Sequence, residues 1–449
     1  MLLLAGCGAG REPERPNVLV VLVDTLRADR LPFYGYGGDT APFLTSWARR
    51  SVVFERAWAA SSWTAPATAS VFTGVYPHQH GVVVGMQVGK HLRNLTEEFE
   101  LSRLPDELET LPEFMRSLGY RTFGVADNPN IGTELGFEQG FERFACTPAV
   151  DSERVTATVR EWSAEIRAAQ PWFVYLHFMD PHFPYEQHAP FYRAPDSEDP
   201  IELASAAYDS EIRFLDQEIE KVFSALGVGE DTLIVFLADH GEEFGDHGRL
   251  GHDPQLYSEL TRIPLFVHLP GVPPRREREN VSQVDLLPTL RDLQQAPRAE
   301  QDAGSSLRAL LERGQPLGER TLFGMRLGRG SILRSAIRGD HKYIVTDFDE
   351  RLDKPQIREL YDLAQDPHEK TNLIEREAEL GAELDAHLRT FEAGTTRWGS
   401  GAEAAILGPE LLRRIQELGY TGGDDDDVDD DDEHVPPREK PAPQDSGGC

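Results

Sequence analysis

Cysteine, basic residues and long apolar runs are all scarce in this 449-residue chain. The three cysteines, Cys7, Cys146 and Cys449, are too far apart for a zinc pattern or a disulfide framework. No run of about 18 or more apolar residues occurs, so the sequence predicts no transmembrane helix. Lysine and arginine number 45 against 77 acidic residues, and the formal charge of −32 argues against nucleic acid as a partner.

The length and the hydrophobic content of 39% suit one large α/β core with a smaller subdomain. The acidity is partly concentrated near the C-terminus, where residues 424–427 and 429–433 are all carboxylates. Residues 422–449 contain almost nothing apolar, so burial there cannot offset the entropy of ordering the chain. We therefore predict a disordered acidic tail over 422–449.

The first seven residues resemble the end of a bacterial lipoprotein signal. Residues 4–7, Leu-Ala-Gly-Cys, fit a lipobox, and the apolar residues 2–4 fit the end of a signal hydrophobic region. No positive segment precedes them, so we expect the start codon to lie upstream. The sequence thus predicts a signal remnant and linker over 1–16 and lipidation of Cys7. It also predicts a location in the bacterial cell envelope, with attachment to the membrane by the lipid anchor only. A short apolar N-terminus without function is the alternative.

Four apolar runs predict strands buried on both faces of a sheet, and helical periodicity alternates with them. The strands are expected at 17–23, 172–178, 232–238 and 264–269, and the helices at 66–74, 111–118, 208–226 and 285–293. This alternation predicts an α/β fold with a large, mostly parallel or mixed sheet flanked by helices on both faces.

The pattern changes after about residue 300. Short strand-like segments at 321–324, 331–337 and 341–345 precede an acidic amphipathic helix at about 373–392. We therefore predict a small C-terminal α+β subdomain over 301–421, folded back on a catalytic domain over 17–300.

Two of the predicted strands end in residues that can bind a metal. Asp24 follows the first strand, and Asp239 and His240 follow the strand at 232–238. Open α/β sheets hold their ligands at the carboxyl ends of strands. Carboxylate and imidazole donors suit one divalent cation, so these three residues form the predicted metal site.

Thr64 stands directly before a helix that Pro66 can start and Gly74 can end. Backbone amides and the helix dipole at this point make a seat for a sulfate or phosphate group. A metal beside Thr64 would lower the pKa of its hydroxyl and turn it into a nucleophile. An ordinary capped helix is the alternative.

Four histidines adjoin the predicted strand ends. His177 and His182 flank the end of the strand at 172–178, and His247 and His252 follow the Asp239-His240-Gly241 loop. Histidine can donate a hydrogen bond to an anion or a proton to a leaving oxygen. All four are therefore candidate site residues, although any one of them alone could serve packing.

In this order the motifs resemble the sulfatase family of the alkaline phosphatase superfamily. The matching segments include NVLVVLVDTLRAD at 17–29, SWTAPATASVFTGVYPHQHG at 62–81, HFMDPHFPY at 177–185 and ADHGEEF at 238–244. The resemblance spans about residues 17–373. It implies an alkaline phosphatase-like fold and metal-dependent hydrolysis of a sulfate, phosphate or phosphonate ester.

Carried over by position, the resemblance implies that Asp24, Asp239 and His240 bind the metal. Thr64 fills the nucleophile position and joins the metal ligands. An imidazole ligand favours Mn²⁺ or Zn²⁺, while Ca²⁺ is common in sulfatases and stays open.

The resemblance also implies roles around the substrate. His182 matches the family histidine that contacts the transferred group or leaving oxygen, and His252 stands where many sulfatases place a lysine on the anion. His177 is a weaker catalytic match. Asn128 and His247 are candidate substrate contacts.

The nucleophile motif departs from the family pattern. Sulfatases convert a Cys or Ser in Cys/Ser-x-Pro-x-Arg to formylglycine, whereas this chain reads Thr64-Ala-Pro-Ala-Thr68. Oxidised threonine would be a ketone rather than an aldehyde, and Thr68 replaces the arginine. Ala-Asp-Asn-Pro at 126–129 replaces the usual Gly-Lys-x-His element, and Thr25 stands where a second aspartate often follows.

Unmodified threonine is the nucleophile in other branches of the superfamily, such as the nucleotide pyrophosphatase and phosphodiesterase enzymes. We therefore predict hydrolysis of a phosphate or phosphonate ester through Thr64, on a small-molecule, glycan or lipid substrate. The alternatives are a sulfuric ester hydrolase, a phospho-headgroup transferase, whose relatives usually carry several membrane helices, and a catalytically inactive binding module. The sequence predicts no oligomeric state.

Overall fold

A computed structural model describes residues 15–86, 98–147, 151–252, 255–328, 330–399 and 402–406. Cys7 and the acidic segment 422–449 lie outside these ranges, so lipidation and tail disorder stay predictions. Within the described ranges, every helix is too short or too polar to cross a bilayer.

The described residues form sixteen strands. In chain order these are β1 Val18–Val23, β2 Val52–Trp58, β3 Glu98–Ser102, β4 Arg121–Ala126, β5 Arg143–Cys146, β6 Trp172–Phe178, β7 Leu233–Ala238, β8 Glu243–Phe244, β9 Leu250–Gly251, β10 Arg262–His268, β11 Arg275–Ser282, β12 Leu322–Leu327, β13 Ser331–Arg338, β14 His341–Phe348, β15 Ile357–Asp362 and β16 Ala402–Ile406.

Ten α-helices and several single-turn 3-10 helices connect them in the described part of the chain. The α-helices are α1 Pro42–Ala48, α2 Thr64–Thr73, α3 Pro77–His80, α4 Leu111–Ser117, α5 Ser152–Ala168, α6 Pro200–Leu226, α7 Ser258–Thr261, α8 Leu286–Leu293, α9 Arg308–Arg313 and α10 Ala378–Gly394. The 3-10 helices are Ala28–Arg30, Pro32–Tyr34, Pro129–Ile131, Thr133–Leu135, Gln283–Asp285 and Glu350–Leu352.

An eight-stranded mixed sheet forms the centre of the fold, in the order β11-β2-β10-β7-β1-β6-β4-β5. Strand β10 runs antiparallel to both of its neighbours, and the other adjacent pairs are parallel. Helix α5 packs on β4 and β6 and against α6, while α2 packs against α4 and α8. The predicted α/β class with a large mixed sheet is confirmed.

The central strands β1, β6 and β7 are fully buried, which explains why their sequences are continuous apolar runs. Their register is aligned, with Val23 opposite both Phe178 and Ala238. The three strands therefore end at the same level of the sheet. Asp24 and Asp239, the next residues after two of these ends, are brought together by this register.

Helix α2 lies in the interior, and all ten of its residues are buried. Trp63 occupies the N-cap position and Thr64 is the first helical residue, one position further in than a capping residue. Gly74 ends the helix with φ of 69°, a left-handed conformation that glycine adopts without a Cβ clash. The predicted helix is confirmed, with Thr64 at its N-terminus.

A four-stranded antiparallel sheet, in the order β12-β13-β14-β15, forms the C-terminal part. Helix α10 packs against it through a separate apolar cluster that includes Tyr343, Leu360, Leu384 and Leu388. The strands run longer than predicted, and α10 begins at Ala378 rather than near 373. Helix α9 packs on the main core, although it follows residue 300; the predicted domain boundaries stay a prediction.

Candidate active site

Asp24, Asp239 and His240 meet at the carboxyl edge of the central sheet. All three are fully buried, and each offers a ligand atom within 4.8 Å of the other two. His240 Nε2 lies 3.6 Å from Asp24 Oδ1 and 3.5 Å from Asp239 Oδ2. The structure therefore brings together the three metal ligands that the sequence predicted from two separate strand ends.

The donor set fits a divalent cation. Asp24 Oδ1 and Asp239 Oδ2 are buried and accept no hydrogen bond from the described residues. Burial, followed by the charge of Asp239, raises the pKa of Asp24 well above its usual range, and burial raises the pKa of Asp239 to about 8. Two such carboxylates repel each other as anions, and a bound cation supplies the missing positive charge.

His240 has the ring tautomer that a metal ligand requires. Its Nδ1 lies 2.9 Å from the carbonyl oxygen of Gly241, which can only accept a hydrogen bond. Nδ1 therefore carries the proton, and Nε2 offers a lone pair toward the carboxylates. Burial lowers the pKa of His240 to about 4, which keeps the imidazole neutral.

Backbone contacts hold the two strand ends in place. The amides of Thr25 and His240 donate to Asp239 Oδ1 at 3.2 and 2.7 Å. The side chain of Gln283 donates to the Asp239 carbonyl at 2.6 Å. Thr25 has φ of 52°, an uncommon conformation for a non-glycine residue, and Tyr208 donates from its hydroxyl to the Thr25 carbonyl. The sharp turn after Asp24 is thus fixed from several directions.

Thr64 lies directly against the carboxylate–histidine cluster. Its Oγ1 donates toward Asp24 Oδ2 at 3.3 Å and is 3.5 Å from His240 Nε2. The Asn128 amide nitrogen is 3.5 Å from the same oxygen and donates to Asp24 Oδ2 at 2.6 Å. Asn128 therefore contacts Asp24 and the candidate nucleophile, and its contact with a substrate stays a prediction.

His182 and His252 extend this cluster on one side. The centroid of the His252 ring is 4.7 Å from that of His240 and 4.9 Å from that of His182. His252 Nδ1 lies 3.0 Å from Glu242 Oε1. Burial, followed by the charge of His252, lowers the pKa of His182 to about 3. A bound anion would raise that pKa, because negative charge favours the protonated ring.

His177 lies on the other side of Asp24. Its Nε2 is 3.7 Å from Asp24 Oδ2, and its Nδ1 is 3.7 Å from Asp127 Oδ1. The ring is fully buried on β6. The structure thus places His177 beside a predicted metal ligand.

His247 bonds to protein through both of its ring nitrogens, and its predicted contact with a substrate stays a prediction. Its Nδ1 is 2.6 Å from Glu259 Oε1, its Nε2 is 3.2 Å from the Glu369 carbonyl, and its ring stacks on Tyr257. Although burial lowers the pKa of His247, the hydrogen bond and charge of Glu259 raise it overall. Both ring nitrogens already bond to protein, so His247 links the loop after β7 to the C-terminal part.

Two buried acids of the site were missed by sequence reasoning. Glu242 pairs with His252, and burial raises the pKa of Glu242 to about 7. Its position directly after His240-Gly241 could have marked it as a site residue from the sequence. Asp127 follows β4, whose apolar run is short and interrupted by Gly124. Both signals were present in the sequence but weaker than the strand-end pattern at Asp24 and Asp239.

A protein-family model described as Sulfatase matches residues 16–296, more than half of the chain. The chain belongs to the sulfatase family. It is 24% identical over 439 residues to the uncharacterized sulfatase YidJ of Escherichia coli, covering 81% of this chain and 84% of that protein. It is 23% identical over 444 residues to the Delta 4,5-hexuronate-2-O-sulfatase of Bacteroides thetaiotaomicron, covering 82% and 87%.

The fold of this sulfatase-family chain also matches solved structures. The phosphonate monoester hydrolase of Agrobacterium radiobacter superimposes with a TM-score of 0.67 at 22% identity, covering 84% of this chain and 96% of that one. Its relatives are thus ester hydrolases of the sulfatase or phosphoesterase type, and the chain is a sulfatase-family hydrolase. The sulfatase family is generally metal-dependent, in agreement with the Asp24, Asp239 and His240 group.

Proposed function

We propose that the chain hydrolyses a phosphate or phosphonate ester with Thr64 as nucleophile and one divalent metal at Asp24, Asp239 and His240. The supporting observation is the position of Thr64 Oγ1, 3.3 Å from Asp24 Oδ2 and 3.5 Å from His240 Nε2. Thr64 is also the first residue of α2, where backbone amides and the helix dipole favour an anion.

A divalent ion held by these residues would lower the pKa of the Thr64 hydroxyl and stabilise charge on the transferred group. We favour Mn²⁺ or Zn²⁺ because His240 offers an imidazole nitrogen, with Ca²⁺ as the alternative. Thr64 Oγ1 would complete the ligand set, since it faces the same atoms.

In the first step, Thr64 Oγ bonds to phosphorus and the bond from phosphorus to the leaving oxygen breaks. Asp24 Oδ2, which accepts the Thr64 hydrogen bond, takes the hydroxyl proton. Protonated His182 or His252 gives a proton to the leaving oxygen. The product of this step is phosphothreonine at position 64, or its phosphonate equivalent.

In the second step, water attacks phosphorus and the bond to Thr64 Oγ breaks. The histidine that gave its proton takes one from the water, and Asp24 returns its proton to Thr64. The side chains then regain their starting protonation states. Glu242 supports His252 in both directions, because its carboxylate stabilises the protonated ring.

Sulfate ester hydrolysis is the second candidate, and it is favoured by the sulfatases among the relatives. Threonine has one hydroxyl, whereas the formylglycine hydrate has two. A sulfated threonine therefore lacks the hydrate's easy route of release. For this reason we favour phosphorus esters over sulfate esters as substrates.

The substrate class is tested with matched 4-nitrophenyl esters of phosphate, phenylphosphonate and sulfate, and with the bis-ester of phosphate. The full chain would be loaded in turn with Mn²⁺, Zn²⁺ and Ca²⁺, and kcat/KM measured. We expect at least one phosphorus ester to exceed the sulfate ester. A preference for sulfate would reverse the substrate class, and metal binding without any hydrolysis would favour a binding module.

We also propose lipid attachment at Cys7 and a place in the bacterial cell envelope, supported by the lipobox-like residues 4–7. Mass spectrometry of the N-terminal peptide from bacterial membranes checks this. A diacylglyceryl group on Cys7 is expected, and an unmodified Cys7 in a chain recovered from the soluble fraction would contradict it.

A further inference from the structure

An open pocket lies beside the N-terminal part of α6. Its volume is about 380 Å³, and sites that bind small molecules usually measure about 300–1,000 Å³. The residues described around it do not include the predicted metal ligands, so the pocket is separate from the catalytic group. Its polar and aromatic lining consists of Arg30, Tyr36, Glu202, Ser205, Asp209 and Phe244.

Three of these polar residues lie on one face of α6, at positions 202, 205 and 209. Steps of three and four bring helix side chains to the same face. The two carboxylates, Glu202 and Asp209, are about 10 Å apart along the helix axis. A single ion cannot contact both of them, whereas a small organic molecule can lie between them.

Arg30 holds one wall of the pocket in place. Its Nη1 is 3.4 Å from Asp209 Oδ1 and 3.3 Å from the Tyr36 hydroxyl, which itself donates to Asp209. The guanidinium carbon lies 5.5 Å from the centroid of the Tyr36 ring and 5.6 Å from that of Phe244. These contacts order the wall before any ligand arrives, which lowers the entropic cost of binding.

The charged side chains of the lining leave one negative charge without a counterion. Arg30 and Asp209 form an ion pair and offset each other. Glu202 is exposed, and its side chain forms no hydrogen bond or ion pair with the residues that the structure describes. The whole chain carries a formal charge of −32, which also attracts cations. The pocket therefore favours a positively charged ligand over a neutral or anionic one.

The rest of the lining combines apolar surface with hydrogen-bonding groups. Pro195, Ile201 and Ala206 supply the apolar part. The Ser205 hydroxyl and the Asp209 carboxylate can bond to hydroxyl groups of a ligand. A sugar ring has apolar faces and hydroxyl groups at its edge, so it suits this combination. An ammonium group on that ring would supply the charge that Glu202 attracts.

We propose that this pocket is a non-catalytic site for an amino sugar. The ammonium group pairs with Glu202, and ring hydroxyls bond to Ser205 and Asp209. The inference does not depend on ester hydrolysis at Thr64. The pocket adjoins the loop that carries Glu242, which pairs with His252, because Phe244 belongs to the same loop. A glycan that contains amino sugars would thus be held at a second point beside the catalytic group.

The first test compares three ligands by titration calorimetry with the full chain, at physiological salt and below the pKa of the sugar amine. The ligands are the β-1,4-linked dimer of glucosamine, its N-acetylated counterpart and 1-aminobutane. We expect one glucosamine dimer to bind per chain, at least about 10-fold more tightly than either of the others, because it alone combines the charge with the sugar ring.

Any of three results would overturn the inference. The acetylated dimer might bind equally well, which would show that the charge has no role. Equal binding of 1-aminobutane would show that the sugar ring is not recognised. Absence of binding by the glucosamine dimer would show that the pocket is not a site for this class of ligand.

The second test uses variants that first pass a check of folding by circular dichroism. Glu202→Gln keeps the size of the side chain and should weaken binding of the glucosamine dimer by about 10-fold or more. Ser205→Trp fills the pocket and should abolish binding. Glu220→Gln is the matched control, because Glu220 is also exposed on α6 but lies about 27 Å further along the helix. It should bind as the unchanged chain does.

Unchanged affinity in Glu202→Gln, or an equal loss in Glu220→Gln, would also overturn the inference. If Ser205→Trp does not fold, Glu202→Gln and the comparison of ligands decide. Amino sugar binding by a chain that hydrolyses no ester would support this site and contradict the proposed function. Phosphorus ester hydrolysis without amino sugar binding would do the reverse.

Discussion

Thr64 Oγ1 lies 3.3 Å from Asp24 Oδ2, although 40 positions separate the two residues in the chain. The contact exists because the N-terminus of α2 meets the end of β1. The candidate nucleophile is thus positioned by the fold itself and held against a predicted metal ligand. A substrate would meet a hydroxyl that needs no rearrangement.

Loss of the Thr64 hydroxyl should remove turnover. We expect Thr64→Ala to lower kcat/KM for the best phosphorus ester by about 10³-fold or more, because it removes the hydroxyl that lies against Asp24 and His240. Thr64→Ser keeps the hydroxyl and should retain much of the rate. Steady-state kinetics with both variants checks this, and an active Thr64→Ala chain would show that another group attacks phosphorus.

Metal binding should stabilise the fold. At a free ion concentration of about 100 times the dissociation constant, the stabilisation is about 2.7 kcal/mol. Asp239→Asn should lose most of this gain, because its carboxylate is one of the two that the cation offsets. Asp231→Asn, in the exposed loop before β7, is the control and should keep the gain. Thermal unfolding with and without Zn²⁺ measures the difference; equal shifts in both variants would contradict the site.

Glu242 should matter most for poor leaving groups. Glu242→Gln keeps the size of the side chain but removes the charge that stabilises protonated His252. We expect hydrolysis of an alkyl ester to fall by about 10²-fold, the usual contribution of general acid catalysis, with a smaller loss for a 4-nitrophenyl ester.

The matched control for this prediction is Glu243→Gln. Glu243 Oε1 accepts from the amides of His247 and Arg249 rather than pairing with a histidine ring. It should affect both esters equally. An equal loss for both esters in Glu242→Gln would assign Glu242 a purely structural role.

His80 should make the fold sensitive to acid. Burial lowers the pKa of His80 from 6.5 to about 3, and its Nδ1 accepts from the Val82 amide. Below pH 6.5 the unfolded chain therefore binds this proton more readily than the folded chain, and stability is lost as pH falls toward 3. The loss is about 1.4 kcal/mol per pH unit.

His80→Gln should remove that contribution. Free energies of unfolding from urea titrations at pH 6.5, 5.5 and 4.5 give the slope for each chain. As pH falls, the unfolding free energy of the unchanged chain should decrease more steeply than that of the variant. The difference in slope should be about 1.4 kcal/mol per pH unit, which corresponds to the binding of one proton. Parallel slopes would show that His80 does not carry this effect.

Lys342 and Glu369 form a fully buried ion pair at 2.9 Å that ties the C-terminal sheet to the region of α7. Lys342→Met leaves the Glu369 charge without its cation and should cost about 3–5 kcal/mol of unfolding free energy. The double variant Lys342→Met with Glu369→Gln removes the orphan charge and should recover part of that loss. Urea unfolding measures both, and equal losses would contradict an ionic role for the pair.

Four of the eight strands of the central sheet, β1, β6, β7 and β10, could be predicted because they are buried on both faces. Strands β1, β6 and β7 read as unbroken apolar runs, and their ends located Asp24 and Asp239. Edge strands such as β5 and β11 carry polar residues and gave no comparable signal. The order of the strands depends on long-range pairing, which local sequence does not encode.

Side-chain partners were the least predictable part of the site. His247 closely follows the Asp239-His240-Gly241 loop in sequence, but its hydrogen-bond partners Glu259 and Glu369 come from segments that the local pattern did not connect with it. Glu242 pairs with His252, and Asp127 lies opposite His177. Both contacts depend on how segments that are distant in sequence meet in the fold. The residue types indicated the chemistry of the site, whereas the contacts between side chains depend on the tertiary structure.

The most direct measurement is mass spectrometry of the peptide that contains Thr64, after acid quenching of the metal-loaded chain during turnover of a phosphorus ester. The proposed mechanism predicts a phosphate or phosphonate group on Thr64 that disappears when substrate is exhausted. A sulfate adduct formed faster from an aryl sulfate would reverse the substrate class. Covalent modification of another residue, with Thr64 unmodified throughout turnover, would contradict Thr64 as the nucleophile.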